Sequence, residues 1–153
     1  MQIASELAIG FRPMQSADLD RVLGIERDVY EFPWTPGNFN DCLRAGYFCR
    51  ILELDGESVG YAVMTSGAGE AQVLNLAISK ALGGKGLGER LLRHMVDLAR
   101  EAGADTVLLE VRVSNKAARR LYATVGFNEI ALRRNYYPAR VGREDAIVMG
   151  LAL

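Results

Sequence analysis

The chain has 153 residues, half of them apolar and 24% charged, with a formal net charge of −1. That is the balance of one ordinary globular core over residues 1–153, with no bulk attraction to nucleic acid or to a membrane surface. No apolar run approaches the ~20 residues of a membrane span, residues 1–10 carry no basic side chain for a secretory signal, and Cys42, Cys49 and His94 are too few for a structural zinc site, so a cytoplasmic protein with reduced thiols and no metal is expected.

Residues 8–12 read as a short strand stopped by Pro13. Ser16 is placed as the cap of a helix over 16–30, with Leu19, Val22, Leu23, Val29 and Tyr30 at helical spacing. Phe32-Pro33-Trp34 breaks it. Thr35 then caps a second helix with Pro36 at its first position and Phe39, Cys42 and Leu43 inward. Asp55-Gly56 between 48–54 and 58–66 is a hairpin signal, and Gly67-Ala68-Gly69 turns into a strand over 72–78.

Gly83-Gly84-Lys85-Gly86-Leu87-Gly88 follows that strand and opens an amphipathic helix, fully regular from about Glu89, that carries Leu87, Leu91, Met95, Leu98 and Ala102 and ends at Gly103. A turn of this kind aims backbone N–H groups from the positive end of a helix at one point, which suits a diphosphate. It lacks the Ser or Thr of a Walker loop and the third glycine of a dinucleotide fingerprint. A flexible entry to a helix is the plain alternative. His94 falls at the edge of this helix's apolar face and is expected to be packed or half-exposed.

Residues 106–111 form a buried strand, 116–125 a helix stopped by Gly126, and 127–134 and 146–151 closing strands. The strand–helix–strand unit over 72–111 calls for a right-handed parallel crossover, while the other connections are tight and antiparallel. The fold expected is a mixed, mostly antiparallel α/β sheet with helices on both faces. Charge is uneven along it: residues 112–153 hold 8 basic and 3 acidic side chains, against 10 and 16 before them. That basic third either faces an anionic ligand or is a set of solvated arginines.

The glycine turn, Asn115, Ala118, Leu121-Tyr122 and Gly126-Phe127 together resemble the GNAT acetyltransferase superfamily. Phe32-Pro33-Trp34-Thr35, Leu109-Glu110-Val111-Arg112, Ser114-Asn115, the run from Arg133 to Pro138 and the run from Gly142 to Ala146 resemble its ribosomal-protein-alanine N-acetyltransferase branch. The resemblance implies the acyl-CoA N-acyltransferase fold and acetyl-CoA as cosubstrate. It implies direct transfer to the N-terminal peptide of a ribosomal protein, that of the small-subunit protein bS18. Other N-termini, lysine side chains, small amines, or a sensor that binds acyl-CoA without turnover are the rival readings.

By the same resemblance, Leu76, Ala77 and Ile78 pair through their backbone with the pantetheine arm. Gly84, Lys85, Gly86, Leu87, Gly88 and Glu89 hold the pyrophosphate, and Asn115 reaches the cofactor or caps its helix. Gly83-Gly84 departs from the usual Gln-Arg, leaving Lys85 or Arg90 to supply a cation. Glu110 is implied as general base, acting through water, and Tyr122 as the acid that protonates the leaving thiolate. The alternatives are a salt bridge from Glu110 to Arg112 or another arginine, and a core position for Tyr122. Phe32, Trp34, Tyr136 and Tyr137 either line the acceptor groove or cover the core as lids. Glu26, Asp28 and Glu31 either attract a basic peptide or form a solvated helix face.

Overall fold

The computed structural model describes residues 8–153. The reading of 1–10 as no secretory signal falls largely outside them. Seven strands form one sheet in the order β1-β2-β3-β4-β5-β7-β6. They are β1 (Ile9–Pro13), β2 (Phe48–Leu54), β3 (Glu57–Gly67), β4 (Glu70–Ile78), β5 (Thr106–Arg112), β6 (Asn128–Pro138) and β7 (Arg143–Ala152). Every neighbouring pair is antiparallel except β4 and β5, which the crossover makes parallel.

Helices α1 (Leu19–Val29) and α2 (Pro36–Arg44) cover one face, and α3 (Leu87–Glu101) and α4 (Lys116–Val125) the other. The alternation of strand side chains divides the core accordingly. Leu52, Met64, Val73, Val107 and Leu109 pack on Leu91, Leu92 and Met95 of α3. Ile51, Tyr61, Val63 and Ala77 pack on Val22, Ile25 and Phe39 of α1 and α2.

One irregularity in β4 creates the site. Val73 pairs with Met64 but Asn75 pairs with Val63, so Leu74 is an extra residue. A bulge of one residue reverses which side chains face which way beyond it. Ala71 and Val73 therefore belong to the α3 face, whereas Asn75 and Ala77 belong to the α1 face. The same bend ends the β4–β5 ladder at Val73 and Leu109, although β4 continues to Ile78 and β5 to Arg112. Ser79 N–H donates to Val59 C=O on β3 at 2.7 Å. By strict alternation the backbone groups of Ala77 then face β3, and those of Leu76 and Ile78 face the open gap.

Several boundaries differ from the sequence reading. Ser16 does not cap α1: Ser16–Asp18 form a 3₁₀ turn, and the Asp18 carboxylate accepts the Gln15 N–H at 2.8 Å. Arg12 donates two bonds to the same carboxylate, which holds Asp18 below the usual carboxylate range. The third helix ends at Glu101, leaving Ala102 exposed and Leu98 half-buried, and it buries Leu92, Val96 and Ala99 as well as the expected Leu87, Leu91 and Met95. Strand β6 continues to Pro138, so Tyr136, Tyr137 and Pro138 lie on a strand, not in a loop. Asn135, with φ 51°, breaks the β6–β7 register just before them. His94 is half-buried and stacks on Phe11 with ring centroids 4.1 Å apart.

No described helix is long and apolar enough to cross a membrane. Among the described residues no group of three or more His, Cys, Asp or Glu converges on a metal-sized site. Cys42 and Cys49 are buried free thiols, and burial pushes Cys49 up to about 11, far from a reactive thiolate.

Candidate active site

A cavity of about 240 Å³ runs into the gap between β4 and β5. Its walls come from both faces of the sheet: Glu26, Tyr30, Phe32 and Trp34 from the α1 side, Asn115 and Tyr122 from the α4 side. Leu76, Glu110, Arg112 and Tyr137 lie between them. An intact sheet would keep these two sets of side chains apart. The bulge at Leu74 is what lets them share one space.

Glu110 stands on β5 at the position that alternation turns toward the α1 face, beside Gln72 of β4. Gln72 Nε2 donates to its Oε1 at 3.3 Å, and the Tyr136 hydroxyl donates to the same oxygen at 3.1 Å. Arg133 Nε lies 2.7 Å from Oε2. That contact is an ion pair without hydrogen-bond alignment, because Oε2 is buried yet receives no hydrogen bond. One oxygen is thus fixed by donors while the other keeps a lone pair for a proton. The salt bridge of the alternative reading is therefore present, with Arg133 rather than Arg112 as its partner.

Tyr122 lies on α4 and also packs against Phe127, with ring centroids 6.2 Å apart, so the core and pocket positions coincide. Burial pushes its phenol up to about 12. A phenol that holds its proton so firmly is a donor at neutral pH. Burial and then the charge of Glu110 push Tyr137 up to about 12 as well. Tyr30, one turn beyond Glu26, donates its hydroxyl to the Leu76 carbonyl inside the gap, and burial raises its pKa strongly.

The glycine turn lies outside this cavity's lining. The 3₁₀ turn Lys80–Leu82 delivers the chain to it. Gly84 and Gly86 have φ of 76° and 80°, a conformation in which an L side chain is strained. Gly86 is the N-cap of α3, so the N–H groups of Leu87, Gly88 and Glu89 have no partner within the helix and point out of its end. Gly88 packs closely: a Cβ there would stand 3.3 Å from Leu121 of α4, which would have to shift slightly. Lys85 and Arg90 are exposed, while Glu89 pairs with Arg93 at 3.0 Å. Asn115 caps α4, its Oδ1 accepting the Ala118 N–H at 3.2 Å, and lines the cavity too.

Of the aromatic residues, Phe32, Trp34 and Tyr137 line the cavity, and Tyr136 stands behind them on Glu110. Arg112 joins the two groups. Its guanidinium lies 5.1 Å from the Phe32 ring and 4.5 Å from the Tyr137 ring. It also donates to Pro138 C=O at 2.7 Å and to Glu144 at 3.3 Å. Arg140 of the β6–β7 turn pairs with Glu31 at 3.6 Å across the same mouth. Most arginines of the basic C-terminal third are thus committed to protein partners: Arg119 to Glu129, Arg133 to Glu110 and Arg143 to the carbonyls of Asn135 and Tyr136.

The largest departure from the sequence reading is Glu26. It belongs to no solvated face: it is 1% exposed and lines the cavity. Its carboxylate accepts from Tyr61 Oη at 2.6 Å, Asn75 Nδ2 at 2.9 Å and the Trp34 backbone N–H at 2.9 Å. The signal was present, since position 26 falls three residues after Leu23 and four after Val22, on the apolar stripe of α1.

Comparison with known proteins agrees with this arrangement. The acetyltransferase (GNAT) family profile matches residues 19–127. The ribosomal protein bS18-alanine N-acetyltransferase of Escherichia coli is 38% identical over 140 residues, covering 92% of this chain and 95% of its own. A crystal structure of that E. coli enzyme superposes with a TM-score of 0.88 at 36% identity, over 95% of this chain and 94% of the other. Ard1 of Thermoplasma volcanium also gives a TM-score of 0.88, at 26% identity over 95% and 98%.

Proposed function

The chain belongs to the acetyltransferase (GNAT) family and is an acetyl-CoA-dependent N-acetyltransferase, and from that premise we propose that it acetylates the N-terminal alanine of ribosomal protein bS18. The observation that carries the reading is the single cavity through the β4–β5 gap. It brings a carboxylate, Glu110, one of whose oxygens accepts no hydrogen bond, and a firmly protonated phenol, Tyr122, to the gap-facing backbone of Leu76. Near-full-length identity to enzymes named for that substrate supports the acceptor.

In this mechanism the two substrates bind together. Acetyl-CoA lays its pyrophosphate on the N–H groups of Leu87, Gly88 and Glu89 and its pantetheine arm along the free edge at Leu76 and Ile78. Ala77, whose backbone is engaged with β3, contributes packing. The acceptor enters between Phe32, Trp34 and Tyr137. An α-ammonium of pKa about 8 needs only a modest base. Glu110 takes its proton through a water, and the free amine attacks the thioester carbonyl. A gap-facing N–H of β4 stabilises the tetrahedral oxyanion. Collapse expels the thiolate, which takes the Tyr122 proton; the extra proton on the attacking nitrogen passes to the Tyr122 phenolate, and Glu110 returns its proton to solvent. The buried thiols Cys42 and Cys49 lie in the α1–α2 core and carry no acyl group.

The test offers acetyl-CoA with an alanine-initiated bS18 peptide and, separately, with a lysine peptide blocked at its N-terminus, followed by thiol release and mass spectrometry. Acetylation confined to the alanine α-amine is expected. Modification of the blocked lysine peptide at a comparable rate would overturn the acceptor assignment.

A further inference from the structure

Besides Glu110, the cavity is lined by one more carboxylate, Glu26, which the mechanism leaves without a task. Glu26 is the only charged side chain among the largest fully buried ones of the described residues. A carboxylate in that position is costly unless its oxygens are satisfied. Here they are satisfied by three donors from three different elements. Tyr61 is on β3, Asn75 is on β4 immediately after the bulge, and Trp34 is in the loop between α1 and α2. Two of these donors belong to the sheet and meet Oε1. The third belongs to the loop and meets Oε2.

A group needed only to fill the core between α1 and β3 would serve better as a leucine or methionine of similar volume. What a carboxylate adds is the ability to accept from both sides at once. Besides the bond from the Trp34 N–H, the loop it reaches is held through side chains: Arg112 lies over the Phe32 ring and Arg140 pairs with Glu31. Phe32 is 39% exposed, and the Trp34 ring leans on Phe39 with centroids 5.1 Å apart. Asn75, the sheet-side partner, directly precedes Leu76, whose backbone faces the gap.

We propose that Glu26 is a positioning residue that ties the Phe32–Trp34 loop to β4 at the point where β4 leaves β5, and so sets the distance between the acceptor wall and the strand that carries the cofactor. The inference rests on the reading above in one respect, that this loop meets the acceptor. Its direct effect is on acceptor binding. The carboxylate touches neither reacting atom, so the chemical step at saturation is changed little.

Glu26→Gln keeps the shape but leaves a single accepting oxygen where the carboxylate has two, one for the Trp34 N–H and one for the two sheet donors. The expected result is a rise of about tenfold in KM for the acceptor peptide, the effect of losing one hydrogen bond to a charged group. KM for acetyl-CoA should stay within about twofold. Trp34 is the only tryptophan, so its fluorescence reports the loop without reference to activity, and its emission should shift in Glu26→Gln. Tyr61→Phe is the control. It removes a sheet-side donor while Asn75 and the Trp34 contact remain, so it should lower Tm yet leave Trp34 emission and acceptor KM as in the unaltered protein. Equal Tm losses in both variants, with neither KM nor emission altered, would reduce Glu26 to a core residue and sink the proposal. If Glu26→Gln does not fold, amide hydrogen exchange on the unaltered protein decides. The Trp34 N–H should be protected while that of Phe32 exchanges freely, and equal rates at the two would overturn the tether. Failure of the unaltered enzyme to acetylate the alanine peptide would count against the acceptor reading alone. Emission and exchange then judge the tether by themselves.

Discussion

The two walls of the cavity are built on opposite principles. On the α3–α4 side, the groups assigned to the cofactor are backbone groups and short-range caps: the turn at Gly84 and Gly86, the first N–H groups of α3, and Asn115 on the first turn of α4. Each follows from a few consecutive residues. On the α1 and β6 side, most of the working contacts join residues far apart in the chain. Glu26 meets Asn75, Glu110 meets Arg133, and Arg112 lies between Phe32 and Tyr137. A site made from local backbone tolerates side-chain change, whereas one made from long-range side-chain contacts does not. The variants below press on that contrast.

The largest effect should come from Glu110→Gln. It removes the proposed base while preserving the donors at Oε1. Turnover should fall by about 10²- to 10⁴-fold, with acetyl-CoA binding by calorimetry nearly unchanged. Unchanged rates across pH would remove Glu110 from the chemistry and leave Arg133 and Tyr136 as partners of a structural carboxylate.

Tyr122→Phe comes next, with kcat lower by about 10²-fold at the low end of acid–base contributions and KM nearly constant. The sign of its pH dependence is fixed by burial. The phenol is pushed up to about 12, so the proton to be donated is present throughout the neutral and mildly alkaline range. The kcat of the unaltered enzyme should therefore show no alkaline decline between about pH 7 and 10. The same shift bears on stability. An unfolded tyrosine titrates near 10, so the stability that buried Tyr122 and Tyr137 confer is complete below that pH. It is lost as pH rises toward about 12. Urea midpoints measured from pH 8 to 11 check this, and a midpoint that rose with pH would contradict it.

The contrast between the walls also explains what the sequence made legible. The crossover, the Asp55-Gly56 hairpin, the glycine turn and the Asn115 cap were readable because each is a local pattern of turn residues and periodicity. The bulge at Leu74 was not. It is set by how β3 pairs with β4, and nothing in Val73-Leu74-Asn75 marks an extra residue. The continuation of β6 through Pro138 was hidden because a proline suggests a loop, yet an edge strand tolerates one at its end. Glu26 was hidden for another reason. Its charge by itself suggests a solvated face, although its place on the apolar stripe of α1 requires a buried position with donors around it.

Gly86→Ala tests the local wall. At φ 80° an added Cβ costs about 1–2 kcal/mol, and relief of that strain would turn the N–H groups at the start of α3. KM for acetyl-CoA should rise by up to about tenfold with acceptor KM unaffected. A pure loss of Tm, with both KM values intact, would mean that the turn serves packing and that the cofactor's pyrophosphate lies elsewhere.

Arg112→Lys tests the long-range wall where it joins the two aromatic segments, and its effect should be the smallest. Lysine retains the charge and can still reach Glu144 or the Pro138 carbonyl. It loses the flat guanidinium that lies between the Phe32 and Tyr137 rings. Stacking of this kind contributes about 0.5–1 kcal/mol at each exposed ring. Weakening it at both rings corresponds to a rise of about five- to tenfold in acceptor KM, with acetyl-CoA KM unaltered. Because the charge is kept, a change in KM separates shape from electrostatics. If Arg112→Lys matches the unaltered enzyme while Arg112→Gln is impaired, the guanidinium acts as a cation toward Glu144 and the stacking is incidental. If both are impaired equally, the planar contact is what holds the two aromatic segments at the spacing the acceptor needs.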